Sequence, residues 1–347
     1  MITSRISGIA AIAGVFALAL FPALAQEGQR IDGPVLGFSV DQAAGIRPIL
    51  GLPGAATLGP PVISAAGLEG VTLSPARDYA LALLTSGRGV VLLKNLRAAA
   101  GATVLDVAPG PARIAISPSG DAVVLYYAEA GRVVVLAGLP DSPSVSWRLE
   151  LSGRSGRVAA LAVSDGGSAV LVASAGEPSS VWLVTQDAGQ RFLYTATSSA
   201  SVAFLVGSQD AAIADGAASA VVLVRDAAGQ PQVTRIGGQA EGVSQPLAIA
   251  AAQDNSRIFV ANARPAGVVS LSLTGGDPAT RSCDCTPTGL ERMAGGSVFR
   301  LNEPGGGPIW LLDAAGALMR VVFVPEQVHL LRDTGGTPTP RRGGGDR

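Results

Sequence analysis

The sequence predicts an all-β fold, a β-propeller of seven four-stranded antiparallel blades, and three observations carry that prediction. A phrase made of a short apolar strand, a Ser-Pro or Gly/Asp turn, a second strand, a small-residue turn and a β-branched third strand recurs along the chain. Ser74, Ser117 and Ser164 open successive turns 43 and 47 residues apart, the period of one propeller blade. Runs such as Val90-Val91-Leu92-Leu93 and Val133-Val134-Val135-Leu136 are apolar on both sides, as strands buried between stacked sheets must be. No segment sustains a helical period with caps.

Taken in chain order, residues 1–25 (MITSRISGIAAIAGVFALALFPALA) read as a secretory signal peptide. Arg5 forms the basic end, Ile6 to Phe21 the apolar stretch, and Ala23-Leu24-Ala25 a small-x-small cleavage site. Cleavage after Ala25 predicts a periplasmic or extracellular protein, and no cysteine follows the apolar run to take a lipid. A membrane anchor is the alternative, disfavoured by Ser7, Gly8, Gly14 and Pro22 within or just after the run. A single propeller domain is expected over residues 26–332. Its paired middle strands are expected near 34–51, 79–93, 122–136, 169–184, 211–224, 257–273 and 308–324, seven hairpins in all. Seven blades follow, with six or eight as the alternatives. The first hairpin lacks preceding strands, and Glu326 to Leu331 (EQVHLL) is a candidate to supply one by wrapping the C-terminus onto the first blade, which would remove exposed sheet edges. Residues 333–347 (DTGGTPTPRRGGGDR) carry Gly, Pro and charge without apolar partners and predict a disordered tail.

Composition narrows the chemistry. Lys+Arg 25 against Asp+Glu 26 gives a net charge of -1, with no cationic surplus for nucleic acid or anionic lipid. One His and two Cys do not make a dispersed His/Cys metal cage. His329 has no neighbour in sequence to orient it as a general base. Lys94 is the one lysine, so arginine usage reflects a GC-rich coding habit before any functional choice. No nucleophile elbow occurs; Gly153 to Gly156 and Gly305 to Pro308 read as turns.

At Ser256 to Ala263 (SRIFVANA) followed by Gly267 to Leu273 (GVVSLSL) the chain resembles the YVTN repeat of secreted bacterial propellers, with Phe-Val-Ala-Asn in place of Tyr-Val-Thr-Asn. Ser117-Pro118-Ser119-Gly120-Asp121 is similar to the Ser-Pro-Asp-Gly turns of those proteins and of TolB-like and lactonase-like propellers. The resemblance spans residues 34–325, with one close repeat, and implies the fold and export. It implies no activity, because propellers host enzymes and pure binding modules alike.

Cys283-Asp284-Cys285 lies within residues 274–289, read as a long connection between blades. In an exported chain with two cysteines each is the other's default partner. The pair reads as a local staple, with a redox-labile switch, free thiols or an intermolecular bridge as alternatives. Asp78, Asp121, Asp165, Asp210 and Asp254 recur once per blade and read as turn caps rather than a carboxylate site. Trp147, Trp182 and Trp310 read as packing between sheets rather than as a sugar-stacking platform.

The function expected is a non-catalytic, monomeric binding scaffold for a protein, peptide or cell-envelope partner, without cofactor, metal or nucleic acid. Its binding loop is expected at Arg281, Asp284 and Thr286. A lactonase-like, metal-assisted hydrolase with carboxylates at the channel mouth is the alternative, and thiol-disulfide exchange at Cys283 and Cys285 the third.

Overall fold

A computed structural model describes residues 33–325 apart from 76–77, 86, 88, 99, 152–156, 199, 294–295, 304–306 and 317. The expectations for the signal peptide, Gly153–Gly156, Glu326–Leu331 with His329, and the C-terminal tail therefore lie outside the described residues.

The strands form seven antiparallel sheets in chain order. Blade 1 holds β1 (Val35–Asp41), β2 (Gly45–Leu52) and β3 (Ala55–Leu58). Blade 2 holds β4 (Leu68–Leu73), β5 (Tyr79–Leu84), β6 (Val90–Lys94) and β7 (Gly101–Val104). Blade 3 follows with β8 (Arg113–Ile116), β9 (Ala122–Tyr127), β10 (Arg132–Ala137) and β11 (Ser144–Glu150). β12 (Val158–Val163), β13 (Ala169–Ser174), β14 (Ser179–Thr185) and β15 (Gly189–Ala196) make blade 4. Blade 5 consists of β16 (Ala200–Phe204), β17 (Ala211–Asp215), β18 (Ala220–Arg225) and β19 (Gln232–Gly237). In blade 6 these are β20 (Pro246–Ala251), β21 (Arg257–Asn262), β22 (Gly267–Ser272) and β23 (Ala279–Ser282). Blade 7 closes the series with β24 (Glu291–Arg292), β25 (Val298–Arg300), β26 (Ile309–Asp313) and β27 (Arg320–Val324). The fold is a seven-bladed β-propeller, as the repeat predicts. Six blades have four strands; the described residues give blade 1 three.

Seven apolar clusters hold the ring, one between each pair of neighbouring blades. Along β5, Tyr79 and Leu81 pack against blade 3 while Ala80 and Ala82 pack against blade 1, so successive side chains serve opposite interfaces. This two-sided burial explains the unbroken apolar runs of the middle strands. Full burial of Leu92 or Leu125 stabilises by about 1.5–3 kcal/mol each. The ring closes through side chains: Leu36, Ile49 and Leu58 of blade 1 pack with Met293, Val298, Leu311 and Val324 of blade 7.

The first turn of each repeat shows why its residues were recognisable. In blade 3 the Ser117 hydroxyl, buried, accepts the N–H groups of Asp121 and Ala122 at 3.1 Å and donates to the Asp121 carboxylate at 2.9 Å. In blade 4 Ser164 accepts the Ala169 N–H at 3.0 Å. A short hydroxyl satisfies the backbone donors that a tight turn strands.

Two sequence expectations need correction. The hairpin at 308–324 is not the second and third strand of its blade but the third and fourth, β26 and β27. The strands before it, β24 and β25, are two and three residues long, too short to leave an apolar run. The turn phrase at Leu301-Asn302 accordingly joins β25 to β26, where Asn302 accepts the Trp310 N–H at 2.7 Å and donates to the Pro308 carbonyl. The segment 274–289 is also not one loop, because β23 interrupts it.

Candidate functional site

Strand direction alternates within each blade, so the turns after the first and third strands lie on one face, here the front. The turns after the second strands and the crossovers between blades lie on the back. The first strands surround the propeller axis, and their front ends enclose a central cavity of about 270 Å³. Its wall is apolar: Phe38 of β1, Leu73 of β4, Ile116 of β8, Leu161 and Val163 of β12, Phe204 of β16, Ile249 of β20 and Met293 after β24. Small residues, Ala115, Ala162, Ala203 and Ala250, alternate with these and keep it open.

Two arginines stand at this cavity. Arg97, exposed, follows β6. Arg292 of β24 is half-buried, donates to the Gln253 side chain and the Ala251 carbonyl of blade 6, and lies 5.7 Å from the Phe299 ring centroid. Burial lowers its pKa, with Asp165 opposing the shift; a guanidinium nevertheless stays charged. Among the described residues Arg292 has no ion-pair partner. The neighbouring Glu291, by contrast, is paired with buried Arg300.

The five recurring aspartates do not converge on the axis. They do not even share one turn position: Asp78, Asp121 and Asp210 immediately precede a second strand, while Asp165 and Asp254 sit earlier in their turns. Asp78 accepts the Arg97 N–H at 3.1 Å, and Asp254 accepts the Ser256 N–H and hydroxyl, which hold its pKa below the usual carboxylate value. Asp210 accepts the Asp226 N–H at 2.8 Å. Asp121 accepts the Gly166 N–H of blade 4 at 3.0 Å. Burial works against its charge, but the bonds from Gly166, Ser119 and Ser117 outweigh burial and lower its pKa. Asp165 spans three blades, accepting the Ser119 N–H of blade 3 at 2.7 Å and the Gly207 N–H of blade 5 at 2.6 Å. Asn255 continues the chain of links by accepting the Val206 N–H and donating to the Val206 carbonyl. These polar groups fasten blade to blade, and among the described residues no three His, Cys, Asp or Glu groups gather as metal ligands.

The CDC segment lies on the back. Cys283 and Cys285 form a disulfide with Cα atoms 5.0 Å apart. Cys283 is buried with Phe259, Val268, Phe299 and Met319 between blades 6 and 7, and Cys285 packs beside it. Of the candidate loop residues, Arg281 belongs to β23 and donates to the Met319 carbonyl at 2.7 Å, tying blade 6 to blade 7; Asp284 and Thr286 are exposed. Trp147 is buried and donates to the Gly167 carbonyl of blade 4 at 2.8 Å. Trp182 meets Phe192, and Trp310 meets Phe323, across strands of their own blades. Sequence reasoning missed Arg97 and Arg292, whose positions only the ring brings together. It also missed the use of arginine as a clasp between blades, seen in Arg281, Arg292, and Arg113 donating to the Val158 carbonyl at 2.8 Å.

No protein-family model matches the chain, and no curated protein matches it by sequence. Solved structures do. The WD40 repeats of RRP9 superpose with a TM-score of 0.53 at 10% identity, over 75% of this chain and 81% of that one. A catalytically inactive virginiamycin B lyase from Staphylococcus aureus, solved with quinupristin, gives 0.51 at 14% identity over 76% and 85%. A functionally unknown protein from Desulfotomaculum acetoxidans gives 0.47 at 15% identity over 73% and 78%. At such identities the likeness is one of fold: the chain is a β-propeller of WD40-like architecture.

Proposed function

We propose that this chain is an exported binding scaffold, a YVTN-type propeller whose ligand end is the front mouth of the central cavity. The occupant is a partner segment with an apolar body and a carboxylate. The observation that carries this reading is the cavity itself: an apolar wall contributed by all seven blades, with Arg97 and Arg292 as its cations. Apolar walls with few convergent polar groups are the usual form of a ligand site, and a half-buried guanidinium lacking a carboxylate favours an anionic group from outside. The aspartates that a hydrolase would need are engaged in the turns. Neither Asp284 nor Thr286 on the back lines this cavity. Export rests on residues 1–25, and mass spectrometry of the secreted or periplasmic protein is expected to find Gln26 at its N-terminus.

Affinity capture from the native cell envelope tests the binding reading. The wild-type protein is expected to enrich a discrete partner, and the channel-filling variant Ala162→Trp to lose it while remaining folded by circular dichroism. Capture undiminished by the filled channel, or no partner with the wild type, would overturn the proposal.

A further inference from the structure

The side chains around the central cavity are apolar, but its backbone is not. The N–H groups of Ser117, Ser164, Leu205 and Ala252 donate to the carbonyls of Ala122, Ala169, Asp210 and Arg257 on the second strands of their blades. Bonded and non-bonded positions alternate along an antiparallel pair, so the residues just before them, Ile116, Val163, Phe204 and Ala251, turn their N–H and C=O groups toward the axis. All four line the cavity, and the Ala251 carbonyl is taken there by Arg292. A hydrocarbon chain in this space would displace water from the remaining groups and offer them no partner, which is costly. An extended polypeptide carries donors and acceptors that match them.

Depth and size favour the end of a chain over its middle. Arg113, Val158 and Pro246, at the back ends of β8, β12 and β20, do not line the cavity, and Leu68 and Glu69 of β4 line a separate one on the back. The front cavity therefore stops within the ring. Its volume of about 270 Å³ falls just below the range of about 300–1,000 Å³ that takes a compact ligand, and a chain that entered and turned back would need room for two passes. Charge then selects which end. Glu291, the one acidic side chain among the described residues of the wall, is bonded to Arg300. Arg292 is fixed by Gln253, the Ala251 carbonyl and the Phe299 ring. Those two hydrogen bonds leave other N–H groups of the guanidinium to take both oxygens of a carboxylate, whereas an amino terminus would be repelled.

We infer that the cavity takes the carboxyl-terminal end of a polypeptide. The terminal carboxylate sits on Arg292, the last peptide groups meet the inward-facing backbone of the first strands, and apolar side chains pack against residues such as Ile116 and Phe204. Arg97 at the rim adds a second positive charge on the way in. This rests on the reading of the front mouth as the ligand end and adds which end of which kind of molecule enters it.

Fluorescence anisotropy of the purified protein with pools of synthetic pentapeptides tests it, the last three positions of each pool being mixtures of Ala, Val, Leu, Ile, Met and Phe. The pool labelled at its amino end with a free carboxylate is expected to bind at least about tenfold more tightly than the same pool amidated, the lower end of what a hydrogen-bonded charge contributes. A pool labelled at its carboxyl end, with the amino end free, is expected to bind no better than the amide. Arg292→Gln is expected to bring the acid down to the amide and leave the amide unchanged. Should that variant not fold, Arg292→Lys, which keeps the charge but not the fork, is expected to lose part of the preference. Equal binding of acid and amide, tighter binding of the free amino end, no binding by any pool, or a preference for the acid that survives loss of the guanidinium each overturns the inference. The reading beneath it fails separately: binding of any pool that is lost in Ala162→Trp keeps the front mouth as the ligand end whichever terminus is preferred, and binding indifferent to Ala162→Trp removes both.

Discussion

Asp165 offers the sharpest test of how the blades are held together. Its carboxylate accepts the N–H groups of Ser119 and Gly207 at 2.7 and 2.6 Å, two bonds that cross two different blade interfaces. Hydrogen bonds to a charged group contribute about 1.5–3 kcal/mol when buried, but Asp165 is half-buried and Gly207 exposed, so solvent takes over part of each bond and about 1 kcal/mol apiece is the appropriate discount. Asp165→Ala should therefore cost about 2 kcal/mol, which for a domain of this size is a fall in Tm of about 3 °C. Asp165→Asn keeps one acceptor and should recover roughly half. Urea unfolding gives the free energies and calorimetry the Tm, with Asp277→Asn, an exposed aspartate in the turn after β22, as the control. An Asp165→Ala protein within about 0.5 kcal/mol of wild type, the ordinary range of a surface substitution, would refute the view that front-face turns clasp the ring.

Three further outcomes follow from the same geometry. Because its hydrogen bonds depress the folded pKa of Asp121, its stabilisation is present above the unfolded value of about 3.9 and lost as pH falls through the lower folded value; Asp121→Asn should flatten Tm against pH in that acid range, and an unchanged slope would contradict the assignment. Gly45 has φ +111°, and a Cβ there would lie 1.9 Å from the Ile63 carbonyl oxygen, so Gly45→Ala should cost about 3 kcal/mol or more by urea unfolding, whereas a neutral effect would refute the backbone path of blade 1. With Cys283 buried against Phe299 and Met319, the disulfide should resist mild reductant under native conditions; rapid appearance of two thiols in a folded protein, read by thiol labelling, would restore the exchange reading.

The parts of this fold that could be read from sequence are those whose environment is symmetric. Strands such as β9 and β10 are covered on both sides, so every position but Arg132 at the start of β10 is apolar or aromatic and the run announces itself. Outermost strands have one open edge and exposed faces, and β7 (GATV) and β23 (ATRS) have no burial pattern to betray them; hence the misreading of 274–289 as a single loop. β24 and β25 failed for the opposite reason, being too short to carry a pattern. The recurring aspartates were correctly read as turn residues, yet their reach from blade to blade depends on neighbours about 45 residues away, as between Asp121 and Gly166. The cavity was illegible because its wall takes two to six residues from each of seven separated blades. Its arginines are indistinguishable in sequence from the others that clasp blades together.

The claim that the front mouth is the binding end is tested most directly by site-specific photocrosslinking in the native envelope. A photoreactive residue placed at Pro75, on the rim of the cavity, is compared with one at Val104, 60% exposed on the outermost strand of the same blade. A discrete adduct from position 75, suppressed by excess unlabelled protein and missing from position 104, is the predicted result. Adducts from position 104 alone, or from neither, would contradict it.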